Sequence, residues 1–280
     1  IGFGQQERSE KWLFDYPDLK ATPIAIKADN ISPFLIDAPN VLVVNRSRPL
    51  ANVPQMKKGV QPTDGGNLLL SKEEQTFLLD KYPSLTVWIK PLLGAREFLN
   101  GGERYCLWLA DASVKQLREL MEFPEIKARI DGVRNMRLES SDSGTRDKAE
   151  TPWLFRESEM PATYILVPSV SSERRPYVPM GFFDSNTIST NLNLMIPNAG
   201  LYEFGILTSQ LHMDWMRTVA GRLKSDYRYS AKLVYNNFPW PTVTDAQRQH
   251  IETLAQAVLD ARQQEVDKDA STTLADLYDP

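Results

Sequence analysis

Apolar residues in the first two thirds of the chain occur in short runs separated by polar or turn residues. Runs of about four to eight residues bounded by glycine or proline predict β-strands. The 19 prolines of the sequence interrupt the pattern often, so the strands are expected to be short and their connections irregular. The pattern predicts strands over 21–27, 40–45, 104–109, 163–167, 177–183 and 187–196.

Capping signals place helices between these strands. Ser71 to Glu74 forms a capping box, in which two side chains satisfy each other's free backbone N–H groups, so a short helix is predicted there. Pro91 is predicted to begin another, because proline is favoured in a first helical turn. Helical periodicity also covers 113–121 and 125–137, and the polar stretch 140–151 is predicted to be a loop.

The end of the chain has helical periodicity almost throughout. Residues 201–223 are predicted to be mainly helical, and a capping box at Thr244 to Gln247 opens an amphipathic helix that runs to about Glu265. The predicted class is therefore α+β. A mixed, turn-rich β region with short helices extends to about residue 200, and a helical C-terminal unit follows over 201–280.

Composition is that of a globular protein, with 42% apolar and 24% charged residues. A single cysteine excludes an intramolecular disulfide, which favours a reducing compartment, and we expect a cytoplasmic protein. No apolar run approaches the ~18 residues of a membrane span, so no membrane partner is expected.

Charge is distributed unevenly. The net charge is −4, but residues 245–280 contain eight acids and three bases, a net of −5, which leaves +1 for residues 1–244. Between Val41 and Thr63 there are four bases and no acid; the bases are Arg46, Arg48, Lys57 and Lys58. Local basic patches of this kind favour phosphate ligands, with a shorter reach than a strongly basic domain.

The most basic stretch runs from Met216 to Pro241. Its five bases are Arg217, Arg222, Lys224, Arg228 and Lys232, and its one acid is Asp226. Tyr227 and Tyr229 are interleaved with them, and residues 236–241 (NNFPWP) form an aromatic, proline-rich segment that cannot continue a helix. The stretch predicts a basic, aromatic helix end held by a rigid segment, which suits contact with a polyanion.

No complete active site is present in the sequence. The two histidines, His212 and His250, lack partners at useful spacing and are interpreted as structural, and Cys106 is interpreted as a core residue. No metal site is predicted, and no glycine-rich nucleotide motif occurs. The Asn-Pro-Pro-aromatic motif of amino-methylating enzymes is absent, since residues 236–241 do not match it.

Several short stretches offer groups that bind phosphate or base edges, each with a structural alternative. Ser171 to Arg175 and Arg46 to Arg48 follow predicted strands and suit phosphate contacts, but would also fit solvated turns. Asn191 and Asn193 alternate with leucines and could read adenine edges, or form a polar strand face. Lys224 and Asp226 could address one base pair, or form a surface ion pair.

Long blocks of the sequence resemble the C-terminal part of MmeI-like (type IIL) restriction–modification enzymes. The blocks include DAPNVLVVNRSRPL, NGGERYCLWL, VPSVSSERRPYVPMGF and FGILTSQLHMDWMRTVAGRLKSDYRYS. These enzymes are bacterial DNA adenine methyltransferases, often fused to a nuclease. The resemblance implies the tail of a methyltransferase domain over 1–20, a target recognition domain over 21–200 and a C-terminal helical domain over 201–280. It also implies that the chain is a fragment whose relatives continue in both directions.

The resemblance assigns roles to residues in the block GRLxxxYRYS. Lys224-Ser225-Asp226 is the base-x-acid form of a pair that reads one base pair; lysine suits guanine O6 and N7, and aspartate suits cytosine N4. Asn191 falls near another base-reading position. The residues assigned to DNA backbone contacts are Arg46, Arg48, Ser172, Arg174, Arg175, Arg217, Arg222 and Arg228.

The leading hypothesis is therefore a sequence-specific DNA recognition module of a site-specific adenine-N6 methyltransferase. Its partners would be double-stranded DNA and an upstream methyltransferase domain in cis. The cofactor S-adenosylmethionine would serve that domain, with no cofactor and no catalytic residue in this chain. The alternative is a protein–protein interaction module that uses the acidic C-terminal helices.

Overall fold

The computed structural model describes residue 6, residues 8–18 and residues 20–280, so part of the predicted methyltransferase tail over 1–20 lies outside the described residues. The strands are β1 Lys11–Asp15, β2 Ile24–Ala28, β3 Lys57–Lys58, β4 Leu69–Leu70, β5 Ile89–Leu93, β6 Tyr105–Leu107, β7 Thr163–Pro168, β8 Val170–Ser171, β9 Gly181–Asp184, β10 Ile188–Ser189, β11 Asn193–Pro197, β12 Gly221–Leu223 and β13 Asp226–Arg228. The α-helices are α1 Lys72–Lys81, α2 Ala95–Asn100, α3 Val114–Met121, α4 Pro124–Leu138, α5 Ser143–Asp147, α6 Leu201–Leu207, α7 Gln210–Val219, α8 Asp245–Lys268 and α9 Leu274–Tyr278.

The strands form several small sheets. An antiparallel pair β1–β2 stands by itself, and two four-stranded sheets have the orders β10-β5-β6-β4 and β3-β11-β7-β9. A three-stranded sheet has the order β12-β13-β8. Small mixed sheets with helices between and after them confirm the predicted α+β class.

Helices α6 and α7 pack on the sheet that contains β7 and β11. Ile165 and Leu194 from those strands share one buried cluster with Phe204 of α6 and Met213 and Met216 of α7. Helix α8 joins the same cluster through Ala255, which is 2% exposed. The helical unit that begins near residue 200 is thus packed onto the sheet through continuous apolar contact; its predicted status as a separate domain stays a prediction.

A second apolar cluster holds β4–β6 and helices α3 and α4 together. Cys106 is fully buried in it and burial raises the pKa of its thiol, so the residue is a core side chain as predicted. Helix α4 begins with Pro124 in its first turn, and α1 has the predicted capping box at Ser71. Local signals of this kind act over four residues, which is why the sequence alone located these helices.

Arg137, near the end of α4, is fully buried without an ion-pair partner among the described residues. Its guanidinium donates five hydrogen bonds to backbone carbonyls. The acceptors are Pro62, Thr63, Lys148, Thr151 and Leu154. The predicted loop 140–151 is therefore wrong: these carbonyls are held in place, and the segment forms α5 and a 3-10 turn with Ala149 buried.

Three further predictions were wrong. No strand forms over 40–45, where Val41 and Leu42 are exposed. Pro91 lies inside β5, which pairs with both β6 and β10, and the helix begins at Ala95 instead. The predicted helix 201–223 divides into α6, α7 and strand β12, because Ser209 caps a new helix and α7 ends at Val219. At Pro91, pairing with distant strands overrode the local helix signal.

Candidate nucleic-acid interface

The basic stretch from Met216 ends in a β-hairpin. Strands β12 and β13 pair antiparallel, with Leu223 opposite Asp226, so Lys224 and Ser225 form a two-residue connection. Lys224 has φ +58°, a left-handed conformation that is unusual for a residue with a side chain. The predicted base-reading pair thus lies at a hairpin tip, and the expectation of a helix end was wrong.

The two faces of the hairpin differ. Arg222 and Tyr227 are opposite each other on one face, and the guanidinium lies 3.7 Å from the ring centroid. Tyr227 is 7% exposed and joins the core, so this face anchors the hairpin. Successive side chains of a strand alternate, which places Asp226 and Arg228 together on the other face.

Strand β8 brings the predicted phosphate-binding loop to the hairpin. Tyr227 pairs with Ser171, and the backbone N–H of Glu173 donates to Asp226 Oδ1 over 3.4 Å. The hydroxyl of Ser172 accepts from the backbone of Arg174 over 3.3 Å. Residues 171–175 and Lys224–Asp226 form one surface, although Glu173 and Asp226 are 53 residues apart in the chain.

Some of the predicted backbone-contacting arginines are engaged within the protein. Arg175 donates to both carboxylate oxygens of Asp279 and holds the pKa of that carboxyl below its usual range. Arg217 bonds to Asp214 over 2.7 Å and to the carbonyl of Pro176. Arg222 bonds to the carbonyl of Ser225 over 2.7 Å. These three guanidinium groups therefore hold parts of the protein surface together.

Other predicted residues are exposed with uncommitted charges. Five of the bases that the sequence assigned to DNA contacts have no side-chain hydrogen-bond or ion-pair partner among the described residues, and all five are exposed. They are Arg46, Arg48, Arg174, Lys224 and Arg228. A free, solvated guanidinium or ammonium group keeps all its donors for an external anion.

The segment 236–241 fastens the Arg46–Arg48 turn to the body. Arg46 N–H donates to the carbonyl of Lys232 over 3.0 Å, and the Asn236 side chain donates to the carbonyl of Arg46 over 2.8 Å. Asn237 reaches the carbonyl of Val44 over 3.0 Å, and Phe238 is 1% exposed. The sequence marked this segment as rigid but carried no signal for its partner, which is 190 residues away.

Asn191 and Asn193 do not share a face as predicted. Asn193 is fully buried and its side-chain amide donates to the carbonyl of Leu93 over 3.0 Å, whereas Asn191 remains partly exposed in a turn. The backbone N–H of Asn191 donates to Val60 over 2.8 Å. The turn between β10 and β11 breaks the alternation, so only Asn191 stays a candidate for base reading.

The strand segments connect Asn191 to the hairpin. Tyr229 N–H donates to the carbonyl of Ser169 over 2.9 Å, and Ser169 N–H donates to the carbonyl of Leu192 over 3.2 Å. Paired segments lie about 4.8 Å apart, so the path from the hairpin through β8 to Val60 crosses on the order of 15 Å. Double-stranded DNA rises about 3.4 Å per base pair. The surface is wide enough to meet about four base pairs.

The histidine beneath the hairpin has a structural environment. His212 is buried, its Nε2 lies 2.8 Å from the hydroxyl of Tyr229, and burial lowers its pKa to about 3. Within the part of the chain that the structure describes, no cluster of three or more metal-ligating side chains occurs. None of the described helices is long and apolar enough to cross a membrane.

Comparisons with known proteins agree on one family. The family "MmeI, target recognition domain" matches residues 37–242, and "MmeI, C-terminal domain" matches residues 243–280. DNA methyltransferase A of Bacillus subtilis (strain 168) is 42% identical over the whole chain, which covers 30% of that protein. The alternative of a protein–protein interaction module is not favoured by these matches.

A solved structure extends the similarity to the fold. The type IIL restriction–modification enzyme MmeI, solved in complex with DNA, is 41% identical and superposes with a TM-score of 0.89 over 98% of this chain. The chain covers 36% of that protein. It therefore spans about a third of the length of the relatives it matches. By the family matches, which cover residues 37–280, the chain belongs to the MmeI family and contains its target recognition domain.

Proposed function

We propose that this chain recognises a specific double-stranded DNA sequence for a site-specific adenine-N6 methyltransferase of a restriction–modification system. The observation that carries the proposal is the exposed hairpin with Lys224 at its tip and Asp226 beside it. The major groove of B-form DNA admits a two-stranded β-ribbon as readily as a helix. Replacing the expected helix end by a hairpin therefore leaves a shape that fits the groove.

The hairpin positions two opposite hydrogen-bonding characters on one edge. Lys224 offers ammonium donors for guanine O6 and N7, and the carboxylate of Asp226 accepts from cytosine N4. The N–H of Glu173 directs one oxygen of Asp226 and leaves the other free. The left-handed backbone of Lys224 fits this role, because strained residues cluster at sites where geometry matters. Together, Lys224 and Asp226 suit one G·C pair.

Backbone contacts fall to the arginines without protein partners. Arg46, Arg48, Arg174 and Arg228 would bind phosphates on either side of the groove. Ser172, Arg175, Arg217 and Arg222 hold these neighbours in place and are retained as weaker candidates. Asn191, partly exposed along the same surface, is the candidate for a second base contact.

Methyl transfer itself is assigned to an upstream domain in cis that binds S-adenosylmethionine. The segment 236–241 could not serve that chemistry here. The amides of Asn236 and Asn237 are engaged by carbonyls of Arg46 and Val44, and Phe238 is buried, so these side chains are used to hold the fold.

The decisive test compares sequence preference after removing the Lys224 ammonium. Lys224→Gly is the preferred variant, because glycine adopts φ +58° without strain and the hairpin keeps its shape. Selection from a randomised duplex library should show discrimination at one base pair reduced by about 1–3 kcal/mol, with other positions unchanged. Asp226→Ala should reduce discrimination at the same base pair.

Ser225→Ala is the matched control, since its side chain has no predicted contact with a base. Unchanged preference in both Lys224→Gly and Asp226→Ala would remove the base-reading assignment. Binding of a mixed-sequence duplex that does not weaken between 50 and 200 mM salt would remove the DNA function, because phosphate contacts release counterions.

A further inference from the structure

A second basic site lies beyond Asn191. It is a cleft of about 430 Å³ with two walls. One wall is the segment Lys57 to Val60, and the other consists of Lys148 and the segment Arg156 to Glu159. The sequence assigned no role to any lysine in this cleft. Lys57 and Lys58 were noted only as two of the four bases in the acid-free stretch between Val41 and Thr63.

The buried side chain of Arg137 links the two sides of the cleft through hydrogen bonds. Its guanidinium donates to the carbonyl of Lys148, in the second wall, and to that of Leu154, two residues before Arg156. The same group bonds to the carbonyls of Pro62 and Thr63, which continue from the first wall. Because one fully buried side chain holds both walls, the distance between Lys148 and the Lys57–Lys58 pair is set by the core.

The lysines in the cleft are free to bind an anion. Among the described residues, Lys58 and Lys148 have no side-chain hydrogen bond or ion pair, and both are exposed. The acid nearest Lys57 is Glu159, 3.9 Å away and 96% exposed, a contact of little strength. Arg156 lines the cleft and uses one nitrogen for Asp142 and Thr145, which leaves its other donors unbonded.

Acids do not cancel this charge. Glu157 and Glu159 stand on the rim, against the four cations Lys57, Lys58, Lys148 and Arg156. The carboxylate of Asp142 is already committed, because it caps α5 through Thr145 and pairs with Arg156, and these bonds lower its pKa. The cleft keeps a positive balance in the folded protein.

The first wall is rigid and lies beside the surface proposed to read DNA. A Cβ added at Gly59 would lie 2.2 Å from the carbonyl oxygen of Thr190, so the backbone is pressed against the β10–β11 turn. Val60 accepts the hydrogen bond from Asn191 in that turn. A DNA phosphate next to a base pair read by Asn191 would therefore approach this wall.

We propose that Lys57, Lys58 and Lys148, with Arg156, bind a phosphodiester of the DNA backbone in this cleft and that Arg137 positions the two walls. The proposal rests on the proposed DNA recognition. It adds a phosphate clamp at the end of the surface opposite the hairpin. The contact is independent of sequence, so it sets affinity and register and leaves base preference unchanged.

The experiment measures binding of a mixed-sequence duplex of about 30 base pairs by the full-length protein as salt rises from 50 to 200 mM. In the double variant Lys58→Gln/Lys148→Gln, two phosphate contacts are lost. The factor by which affinity falls between 50 and 200 mM salt should be about tenfold smaller in this variant than in the wild type. The base preference from library selection should remain that of the wild type.

Matched variants separate this contact from general charge and from folding. Lys115→Gln/Lys127→Gln removes the same charge from exposed helix positions with carboxylate partners and should keep the wild-type salt dependence. Lys58→Arg/Lys148→Arg should also keep it, because both charges remain. If Lys58→Gln/Lys148→Gln has the same salt dependence as the wild type, the phosphate clamp is overturned and the proposed DNA recognition stands.

Two further outcomes identify other errors. A wild-type protein whose duplex binding is insensitive to salt would overturn the proposed DNA function, and the clamp with it. Calorimetric titration with inorganic phosphate at constant ionic strength should show no saturable binding. Saturable phosphate binding that disappears in Lys58→Gln/Lys148→Gln would assign the cleft to a small free anion and overturn the DNA clamp.

Discussion

Two arginine-rich regions of this protein use the same side chain in opposite ways. Around Arg137, one guanidinium is buried and its donors are satisfied by five backbone carbonyls. At the hairpin β12–β13 and its neighbouring loop, Arg174 and Arg228 are exposed and bind nothing in the described protein. The number of basic residues therefore says little about function. The acceptors that the fold supplies decide whether a guanidinium holds the protein together or remains available to an external ligand.

The strongest test of this contrast is Arg137→Met, which keeps much of the volume and removes the donors. Five carbonyls packed against a buried side chain would lose their hydrogen-bond partner, so the free energy of unfolding should fall by at least about 3 kcal/mol. Chemical denaturation would measure it. Arg118→Met, at an exposed position of α3, should stay within about 0.5 kcal/mol of the wild type. Equal midpoints for the two variants would contradict the structural role of Arg137.

A second test examines His212, the histidine that is buried beneath the hairpin. Burial lowers the pKa of His212 to about 3, below the ~6.5 of an exposed histidine. Between these values the unfolded chain binds a proton that the folded chain excludes, so stability is lost as pH falls through that window. From pH 7 to pH 5 this side chain should account for a loss of about 2 kcal/mol.

His212→Gln should remove that part of the pH dependence, measured as unfolding free energy against pH. His250→Gln should leave it intact, because His250 lies on an exposed face of α8. An unchanged pH slope in His212→Gln would show that the loss arises from other groups.

The smallest effect compares two arginines within the basic stretch. Arg228 has no partner in the described protein, whereas Arg217 bonds to Asp214 and to the carbonyl of Pro176. Arg228→Gln should reduce the loss of duplex affinity between 50 and 200 mM salt by roughly three- to fourfold, the effect of one phosphate contact. Arg217→Gln should leave the salt dependence unchanged. Reversed results would mean that internal partners do not mark the structural arginines.

Some features of the site were readable directly from the sequence. The base-x-acid pair Lys224–Asp226 and the blocks around it identified the family, because such motifs are linear and survive without a fold. The capping boxes at Ser71 and Thr244 also formed as predicted. These signals lie within four residues, so their physics is complete in the local sequence.

Other features depended on contacts that no local pattern contains. The hairpin replaced a predicted helix end because β13 pairs with β8, more than fifty residues earlier in the chain. Asn193 is a core residue because its side-chain amide bonds to the carbonyl of Leu93. Asn191 stays partly exposed.

The sequence by itself determined the family and the α+β class, and it nominated the charged residues that are proposed to face a polyanion. Only the tertiary structure decided which of those charges remain free. Arg175 is bound by a carboxylate 104 residues away, and Arg137 by carbonyls up to 75 residues away, whereas Arg174 and Lys58 meet no such acceptor. A side chain's availability is set by what folding brings within hydrogen-bond distance of it, and that is a property of the whole chain.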